Sequence, residues 1–279
     1  MPSRLTIAFQ GEHGAFSEEA AVAYGTVLRP RPLVVSRPYD SFKKVFAAVQ
    51  KKGVKIGIVP IENSLFGSVY ENFDLLDKYP LNIIGEVKHR VSHMLMALPG
   101  VTLGEIRHVY SHPQALGQCD RFLQTLHKVE IVAVYDTAGS AKMISEQQIR
   151  NAAAIASTGA ATIYGLHILK RGIESNHHNY TRFLILSRRP IKVNRNAKTS
   201  IIFSLKSIPG ALFKALGVFA LRNIDLEKIE SRPIVGKPWE YLFYLDFSGS
   251  LEEKNCQHAL QALSDVTSHL RVLGSYTKA

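Results

Sequence analysis

The first 166 residues alternate between short apolar runs and amphipathic stretches, and this alternation most restricts what the chain can fold into. The predicted strands are residues 5–10, 33–36, 56–61, 130–135 and 152–156. Helices are predicted between them, and Asp40 is expected to cap one whose apolar face is Phe42, Val45, Phe46 and Val49. Because β-α alternation is typical of parallel sheets, we expect an α/β domain with its ligand site at the carboxyl ends of strands.

The last 82 residues follow a different order. Strands are predicted at 200–206, 226–234, 239–247 and 268–273, and helices at 209–221 and 251–263. This β-α-β-β-α-β order is that of a ferredoxin-like domain. The preceding segment 187–199 is polar, basic and interrupted by Pro190, which indicates a linker. We therefore predict two domains, residues 1–190 and 198–279.

The charge and the cysteines restrict the class of protein. The net charge is +11, but the basic residues are spread along the chain, so a nucleic-acid partner is not expected. No apolar run reaches the ~18–20 residues of a membrane span, and we expect neither a membrane partner nor a secretory signal. Cys119 and Cys256 form no metal-ligand or redox spacing. These features predict a cytoplasmic protein without a metal site.

Residues 179–183, Asn-Tyr-Thr-Arg-Phe, combine a hydroxyl and a fixed cation just before the apolar run 184–186. Thr181 can donate a hydrogen bond, and the planar fork of Arg182 suits a carboxylate. Four loops also place small and polar residues just after predicted strands, at 11–17, 60–64, 111–118 and 136–142. A turn followed by a helix cap explains each loop taken singly.

Taken together and in order, these segments resemble prephenate dehydratase. The matching stretches are GEHGAFSEEAA, GIVPIENSLFGSV, SHPQALGQC, DTAGSAK, AAIASTGAATIYGL and NYTRF, which span nearly all of residues 5–186. The stretches GALFKAL, NIDLEKIESRP and YLFYLDF resemble the family's regulatory ACT domain. The resemblance implies a two-lobed catalytic domain similar to type II periplasmic binding proteins. Because the matching region begins within the first ten residues, we expect no fused chorismate mutase domain before it.

The resemblance further implies that prephenate loses carbon dioxide and its ring hydroxyl to give phenylpyruvate, without a cofactor. Arg182 would then bind a carboxylate, and Thr181 would contact the departing hydroxyl. A threonine hydroxyl is too weak an acid to supply the proton, so Glu62 or His112 is expected to be its source. The other implied catalytic residues are Asn63, Ser111 and Gln118, and the implied substrate-binding residues are Ser64, Lys142 and Phe183.

The ACT resemblance implies feedback inhibition by phenylalanine, bound between two copies of the domain in a homodimer or homotetramer. The implied contacts are Gly210, Ala211, Leu212, Asn223, Leu226, Glu230 and Ser231. Two alternatives stay open at this stage. Arogenate dehydratase would use the same residues on the amino-acid analogue of prephenate, and a non-catalytic binding protein could combine a cleft with an amino-acid sensor.

Overall fold

The computed structural model describes residues 4–206, 208–234 and 236–279. The predicted domain ranges also include residues 1–3, Ser207 and Val235, which lie outside the described residues. The first part of the chain contains β1 (Arg4–Gln10), α1 (Phe16–Val27), β2 (Leu33–Tyr39), α2 (Phe42–Gln50), β3 (Ile56–Asn63), β4 (Gly67–Ser68), α3 (Tyr70–Lys78) and β5 (Asn82–Arg90).

The middle of the chain contains β6 (Met94–Ala97), a 3₁₀ helix (Leu103–Glu105), β7 (His108–Ser111), α4 (Pro113–Gln118), α5 (Asp120–Leu123), β8 (Glu130–Ala133), α6 (Thr137–Gln147), β9 (Ala152–Ala156), α7 (Thr158–Ile163) and β10 (His167–Arg171). The last part contains β11 (Tyr180–Ser187), β12 (Ala197–Leu205), α8 (Ala211–Ala220), β13 (Leu226–Pro233), β14 (Tyr241–Ser248), α9 (Lys254–Val266) and β15 (Thr267–Thr277).

The first lobe is built on a sheet of order β2-β1-β3-β11-β5, with β4 paired to β3. Strands β1, β2 and β3 are parallel, as predicted, but β11 runs antiparallel between β3 and β5. The expectation of parallel sheets is therefore wrong for β11, because the chain returns from the second lobe in the opposite direction. The predicted cap of α2 is also wrong by one residue, since Ser41 Oγ accepts the Lys44 N–H at 3.3 Å.

The second lobe is a mixed sheet of order β10-β6-β9-β7-β8. Its centre, β9, consists of four alanines and Ile155, all fully buried, and the small alanine side chains let α6 pack closely against the strand. The helix predicted from Pro113 is divided at Cys119 into α4 and α5. The chain crosses between the two lobes after β5 and again before β11, so a cleft lies between the two sheets.

The third sheet has the order β13-β14-β12-β15 and is antiparallel throughout, the arrangement expected of a ferredoxin-like unit. One face packs on α8 and α9 around Phe203, Phe219 and Phe247. The other face shares a core with the first lobe, where Tyr244 Oη donates to Phe73 O. Among the described residues, no helix is both long and apolar enough to cross a membrane.

Gly274 explains how closely β15 approaches the first lobe. A Cβ at this position would clash severely with the Ile83 carbonyl oxygen, so only glycine allows the two strands to lie this close. The observed mixed α/β architecture, two lobes followed by a ferredoxin-like sheet, confirms the predicted fold class.

Candidate active site

The cleft between the two lobes encloses about 370 Å³, which lies within the usual range of small-molecule sites. Part of its wall is apolar and formed by Phe16, Phe42, Pro60, Val69, Val91 and Phe183. The polar part includes Gln10, Ser17, Asn63, Gln118, Asp136 and Thr181. Both lobes and both crossings thus contribute to one site.

Strand β11 presents Thr181 to the cleft and Arg182 to the opposite face of the sheet. The strand begins at Tyr180 rather than at residue 184, and side chains alternate along it. Thr181 and Phe183 therefore line the cleft, while Arg182 lies behind them. This geometry corrects the prediction that Thr181 and Arg182 act side by side on the substrate.

The hydroxyl of Thr181 is oriented by Asn63. Asn63 Oδ1 accepts the backbone N–H groups of Leu65 and Phe66 at 3.0 and 3.1 Å, which fixes the orientation of the amide. Its Nδ2 then donates to Thr181 Oγ1 at 3.0 Å and to Asn179 Oδ1 at 2.7 Å. The threonine oxygen is thus an acceptor, and its proton has no acceptor among the described residues. That proton is available to a group in the cleft.

Arg182 is 8% exposed and lies in a cluster of acidic residues beneath the third sheet. Its Nε donates to Glu86 at 2.6 Å, and its NH1 lies 2.7 Å from Asp246 Oδ2. NH2 donates to the hydroxyl of the buried Tyr276 at 3.0 Å. Burial would lower the pKa of Arg182, but Asp246, Tyr276 and Glu86 outweigh it and raise that pKa. The predicted carboxylate anchor is a structural ion pair.

Glu62 is also directed away from the cleft. Its carboxylate is bound by Arg182 at 3.0 Å and by Lys228 of β13 at 2.7 Å. Burial opposes ionisation, but hydrogen bonds from these two cations hold the pKa of Glu62 below its usual value. Adjacent residues of β3 alternate in direction, so Asn63 reaches the cleft and Glu62 does not. This corrects the prediction of Glu62 as catalytic residue and proton source.

Three further predicted residues lie outside the cleft wall. Ser111 is fully buried, and its hydroxyl donates to Ile155 O at 2.6 Å. Ser64 Oγ donates to His178 O at 2.9 Å, and this bond joins the segment after β3 to the segment before β11. Lys142 pairs with Glu12 at 3.1 Å instead of entering the cleft. Local hydrogen bonding and pairing thus account for all three residues.

Gln118 lines the cleft as predicted, and it is held by His93, which the sequence analysis did not identify. His93 Nε2 lies 2.5 Å from Gln118 Oε1, and burial lowers the pKa of His93. A neutral His93 with its proton on Nε2 donates to Gln118 Oε1, so the amide N–H groups of Gln118 point away from His93. His112 lines the cleft too, where its Nδ1 accepts the Gln114 N–H at 3.2 Å and leaves Nε2 as the protonated nitrogen.

The N-terminus of α1 opens into the cleft. Ala15 occupies its N-cap position without any side-chain cap, and Ala15, Phe16 and Ser17 all line the wall. The loop before it is fixed to the second lobe, because Ser157 Oγ donates to Gly14 O at 2.6 Å. The free N–H groups and the dipole of this 12-residue helix favour a carboxylate at this point.

Asp136 faces the same region from the second lobe. It caps α6 by accepting the Gly139 N–H at 2.6 Å, and it is 8% exposed. Burial raises the pKa of Asp136, with Glu12 adding to the effect. Neighbouring Tyr135 donates to Glu12 at 3.2 Å, and burial together with Glu12 raises its pKa to about 12. Asp136 was part of a recognised loop, but its own position was not predicted.

The predicted phenylalanine contacts lie in the third sheet and at the start of α8. Gly210 caps α8 with φ 74°, Ala211 and Leu212 open the helix, Asn223 follows its end with φ 53°, and Leu226 begins β13. Glu230 bonds to Ser68 Oγ of the first lobe, while Ser231 is exposed. A single chain brings Glu230 toward the first lobe rather than toward Gly210, and the other contacts stay predictions.

Known proteins resemble this chain over most of its length. The family model described as prephenate dehydratase matches residues 7–191. Arogenate dehydratase/prephenate dehydratase 2 of Arabidopsis thaliana, named as chloroplastic, is 47% identical over 98% of this chain and 73% of its own length. Arogenate dehydratase 2 of Petunia hybrida is 45% identical over 98% of this chain and 72% of its own length.

Solved structures agree with these sequence matches. The prephenate dehydratase of Arthrobacter aurescens, determined in complex with L-Phe, has a TM-score of 0.87 and 30% identity over 98% of this chain and 90% of its own. GqqA, described as a novel type of quorum quenching acylase, has a TM-score of 0.87 and 34% identity over 98% of both chains. The chain belongs to the prephenate dehydratase family.

Proposed function

We propose that this protein catalyses the decarboxylating dehydration of a prephenate-type cyclohexadienyl acid. Prephenate would give phenylpyruvate, carbon dioxide and water, and arogenate would give phenylalanine by the same steps. The observation that carries the proposal is the Thr181 hydroxyl in the cleft, which accepts from Asn63 and keeps its proton free. Such a donor suits a leaving hydroxyl, which gains negative charge as its bond to the ring breaks.

The remaining steps follow from the walls of the cleft. The N-terminus of α1 would bind the side-chain carboxylate of the substrate. The ring carboxylate would lie against Phe16, Phe183 and Val91, where poor solvation favours its loss as carbon dioxide. The electron pair left behind completes the aromatic ring as the hydroxyl departs. His112, with its proton on Nε2, replaces Glu62 as the proposed hydrogen-bond donor to the departing hydroxyl, and the hydroxide takes its proton from solvent because a neutral imidazole is too weak an acid to supply it.

Turnover of the two substrates tests the proposal directly. The purified protein is incubated with prephenate and, separately, with arogenate, and phenylpyruvate and phenylalanine are quantified. Thr181→Val, which keeps the shape of the side chain but removes its donor, should lower kcat about 10²- to 10³-fold. Thr181→Ser serves as the matched control and should retain most activity. If Thr181→Val turns over like wild type, or if wild type converts neither substrate, the proposal fails.

A non-catalytic binding protein is the alternative from another class. It would bind either substrate without forming product, so the same assay separates the two functions. We do not propose for this chain the acylase activity named for GqqA. Among the described residues of the cleft wall, neither Ser17 nor Thr137 has a hydrogen bond to a histidine that could activate it as a nucleophile.

We also propose that residues 1–190 form the catalytic domain and that residues 198–279 form a regulatory domain inhibited by phenylalanine. The ferredoxin-like order of the third sheet and the L-Phe complex of the Arthrobacter aurescens relative support this assignment. The proposed ligand contacts remain those inferred from the ACT resemblance. Addition of phenylalanine should lower the rate sigmoidally, and an unchanged rate would contradict the regulatory assignment.

The proposed homodimer would form through the third sheet, with a homotetramer as the larger alternative. Strand β13 lies at an edge of that sheet, and α8 exposes Phe213 and Leu221 at 81% and 85%. Unpaired strand edges and exposed apolar side chains favour association with a second copy. Sedimentation velocity would show a monomer if this is wrong. The cytoplasmic location stays a prediction, and the Arabidopsis relatives named as chloroplastic do not support it.

A further inference from the structure

The cleft wall contains one carboxylate and, among the described residues, neither a lysine nor an arginine. That carboxylate, Asp136, is 8% exposed. Buried carboxylates are normally paired with a cation, because removing a charge from water is costly. Within the described part of the chain, no lysine, arginine or histidine nitrogen lies within 4.0 Å of the Asp136 oxygens, so a cationic group of a bound ligand would complete the pair.

The nearby charges do not supply that cation. Glu12, which also raises the pKa of Asp136, is itself neutralised by Lys142 at 3.1 Å and bound by the Tyr135 hydroxyl. His112 is near enough to lower the pKa of Asp136, but neither of its ring nitrogens lies within 4.0 Å of the carboxylate. The capping role of Asp136 does not require a charge either, since asparagine and serine cap helices about as well.

Asp136 also lies next to the proposed carboxylate site. A Cβ built on Gly11 would be 2.9 Å from Asp136 Oδ2 and 3.2 Å from the Cβ of Ala15, so these two atoms are at most about 6 Å apart. Ala15 is the N-cap of α1, whose N–H groups favour an anion. An anion site and an unpaired carboxylate within this distance match the two charged groups on the α-carbon of an amino acid.

We propose that Asp136 binds the ammonium group of the substrate and makes the cleft selective for arogenate over prephenate. This inference rests on the proposed function, because it concerns which substrate the same reaction uses. The keto group of prephenate carries no positive charge to offset Asp136, while its two carboxylates are repelled by it. Arogenate differs only in the ammonium that Asp136 would bind, so selectivity resides in one contact.

Steady-state kinetics of wild type and Asp136→Asn with both substrates test this proposal. Asparagine keeps the shape and the acceptor for the Gly139 N–H, so α6 remains capped. We expect wild type to have the higher kcat/KM for arogenate. Loss of the charge should lower that value about ten- to hundredfold, mainly through KM, and so lower the ratio of kcat/KM for arogenate to that for prephenate. Asp136→Ser, which also caps, replaces the asparagine variant if the latter does not fold.

Asp120→Asn is the matched control, because it removes the same charge from a residue outside the cleft wall. Its ratio of kcat/KM for arogenate to that for prephenate should equal that of wild type. The inference is refuted if wild type converts both substrates and Asp136→Asn leaves this ratio unchanged, or if wild type prefers prephenate. Absence of turnover with either substrate in wild type would instead refute the proposed function.

Discussion

Replacing Arg182 by glutamine should destabilise the protein far more than it weakens substrate binding. The guanidinium contacts three carboxylates, those of Glu62, Glu86 and Asp246, and none of these contacts lies in the cleft. Glutamine removes the charge and cannot reach all three acceptors. The change therefore tests the placement of Arg182 behind the catalytic strand.

The magnitude depends on which carboxylates lose their last cation. Glu86 keeps Lys198 at 3.0 Å, and Glu62 keeps Lys228 at 2.7 Å. Asp246 keeps only the Ser200 hydroxyl at 2.5 Å, so one buried carboxylate is left unpaired. An unpaired buried charge costs about 3–5 kcal/mol in the free energy of unfolding. For a chain of this size, the melting temperature should fall by roughly 10 °C.

Thermal unfolding followed by circular dichroism measures this effect, and KM is determined at a temperature where the variant is folded. Arg232→Gln is the control, because its partner Asp74 is exposed and a surface pair contributes about 0–1 kcal/mol. Adding Asp246→Asn to Arg182→Gln should restore part of the lost stability. An unchanged melting temperature together with a strongly raised KM would refute this placement and indicate that Arg182 binds the substrate.

Three other outcomes are expected. Asn63→Asp should reduce kcat about tenfold or more, since a carboxylate would accept the Thr181 proton that the amide leaves free, and should lower the melting temperature because its oxygen would face Asn179 Oδ1 without a proton between them; wild-type kcat would contradict this. Gly274→Ala should lower the melting temperature by several degrees, because its methyl group meets Ile83 O, and an unchanged value would argue against the close approach. Burial opposes ionisation of Glu227, but its lysine partners lower its pKa to about 2, so its stabilising effect is complete above about pH 4.5 and is lost as the pH falls toward 2. Glu227→Gln should flatten the acid unfolding profile in that window, and an identical profile would contradict the assignment.

The parts of the fold that depend on local pattern were predictable from the sequence. The period-two and period-3.6 patterns located β1, β9 and most helices to within a few residues. The order of elements was enough for the ferredoxin-like sheet. The direction of β11 was not predictable in this way, because antiparallel pairing with β3 depends on where the chain re-enters the first lobe.

The candidate site was less predictable because it depends on the face to which each side chain points. Asn179, Thr181 and Arg182 are polar, so the apolar pattern indicates a strand clearly only from residue 184. Once the strand begins at Tyr180, alternation alone separates Thr181 from Arg182. The partner Glu86 is 96 residues away in sequence, and no local pattern indicates that pairing.

For His93 and Asp136, the sequence contained local signals of burial and of helix capping, but these were not sufficient to place either residue in the cleft wall. His93 precedes the apolar strand β6, and a histidine beside a buried strand indicates burial without indicating its partner. Asp136 precedes Thr137 at the start of a helix, where a cap explains the residue fully. Only the structure shows that the same carboxylate is buried in the cleft wall without a cation. When one residue has both a structural and a chemical role, the sequence pattern therefore indicates only the structural role.

Adjacent residues of β11 face the cleft and the third sheet, so a single peptide bond separates the two contacts. Thr181 faces the cleft, and the next residue, Arg182, is bound to Asp246 and Tyr276 of the third sheet. Hydrogen bonds weaken steeply once their geometry departs from the optimum, so a small shift of β11 would disturb the 3.0 Å contact between Asn63 and Thr181. A displacement of the third sheet would pull on Arg182 and reach Thr181 through one peptide bond. The cluster that stabilises the contact between the first lobe and the third sheet is thus also the physical connection between that sheet and the strand that carries Thr181.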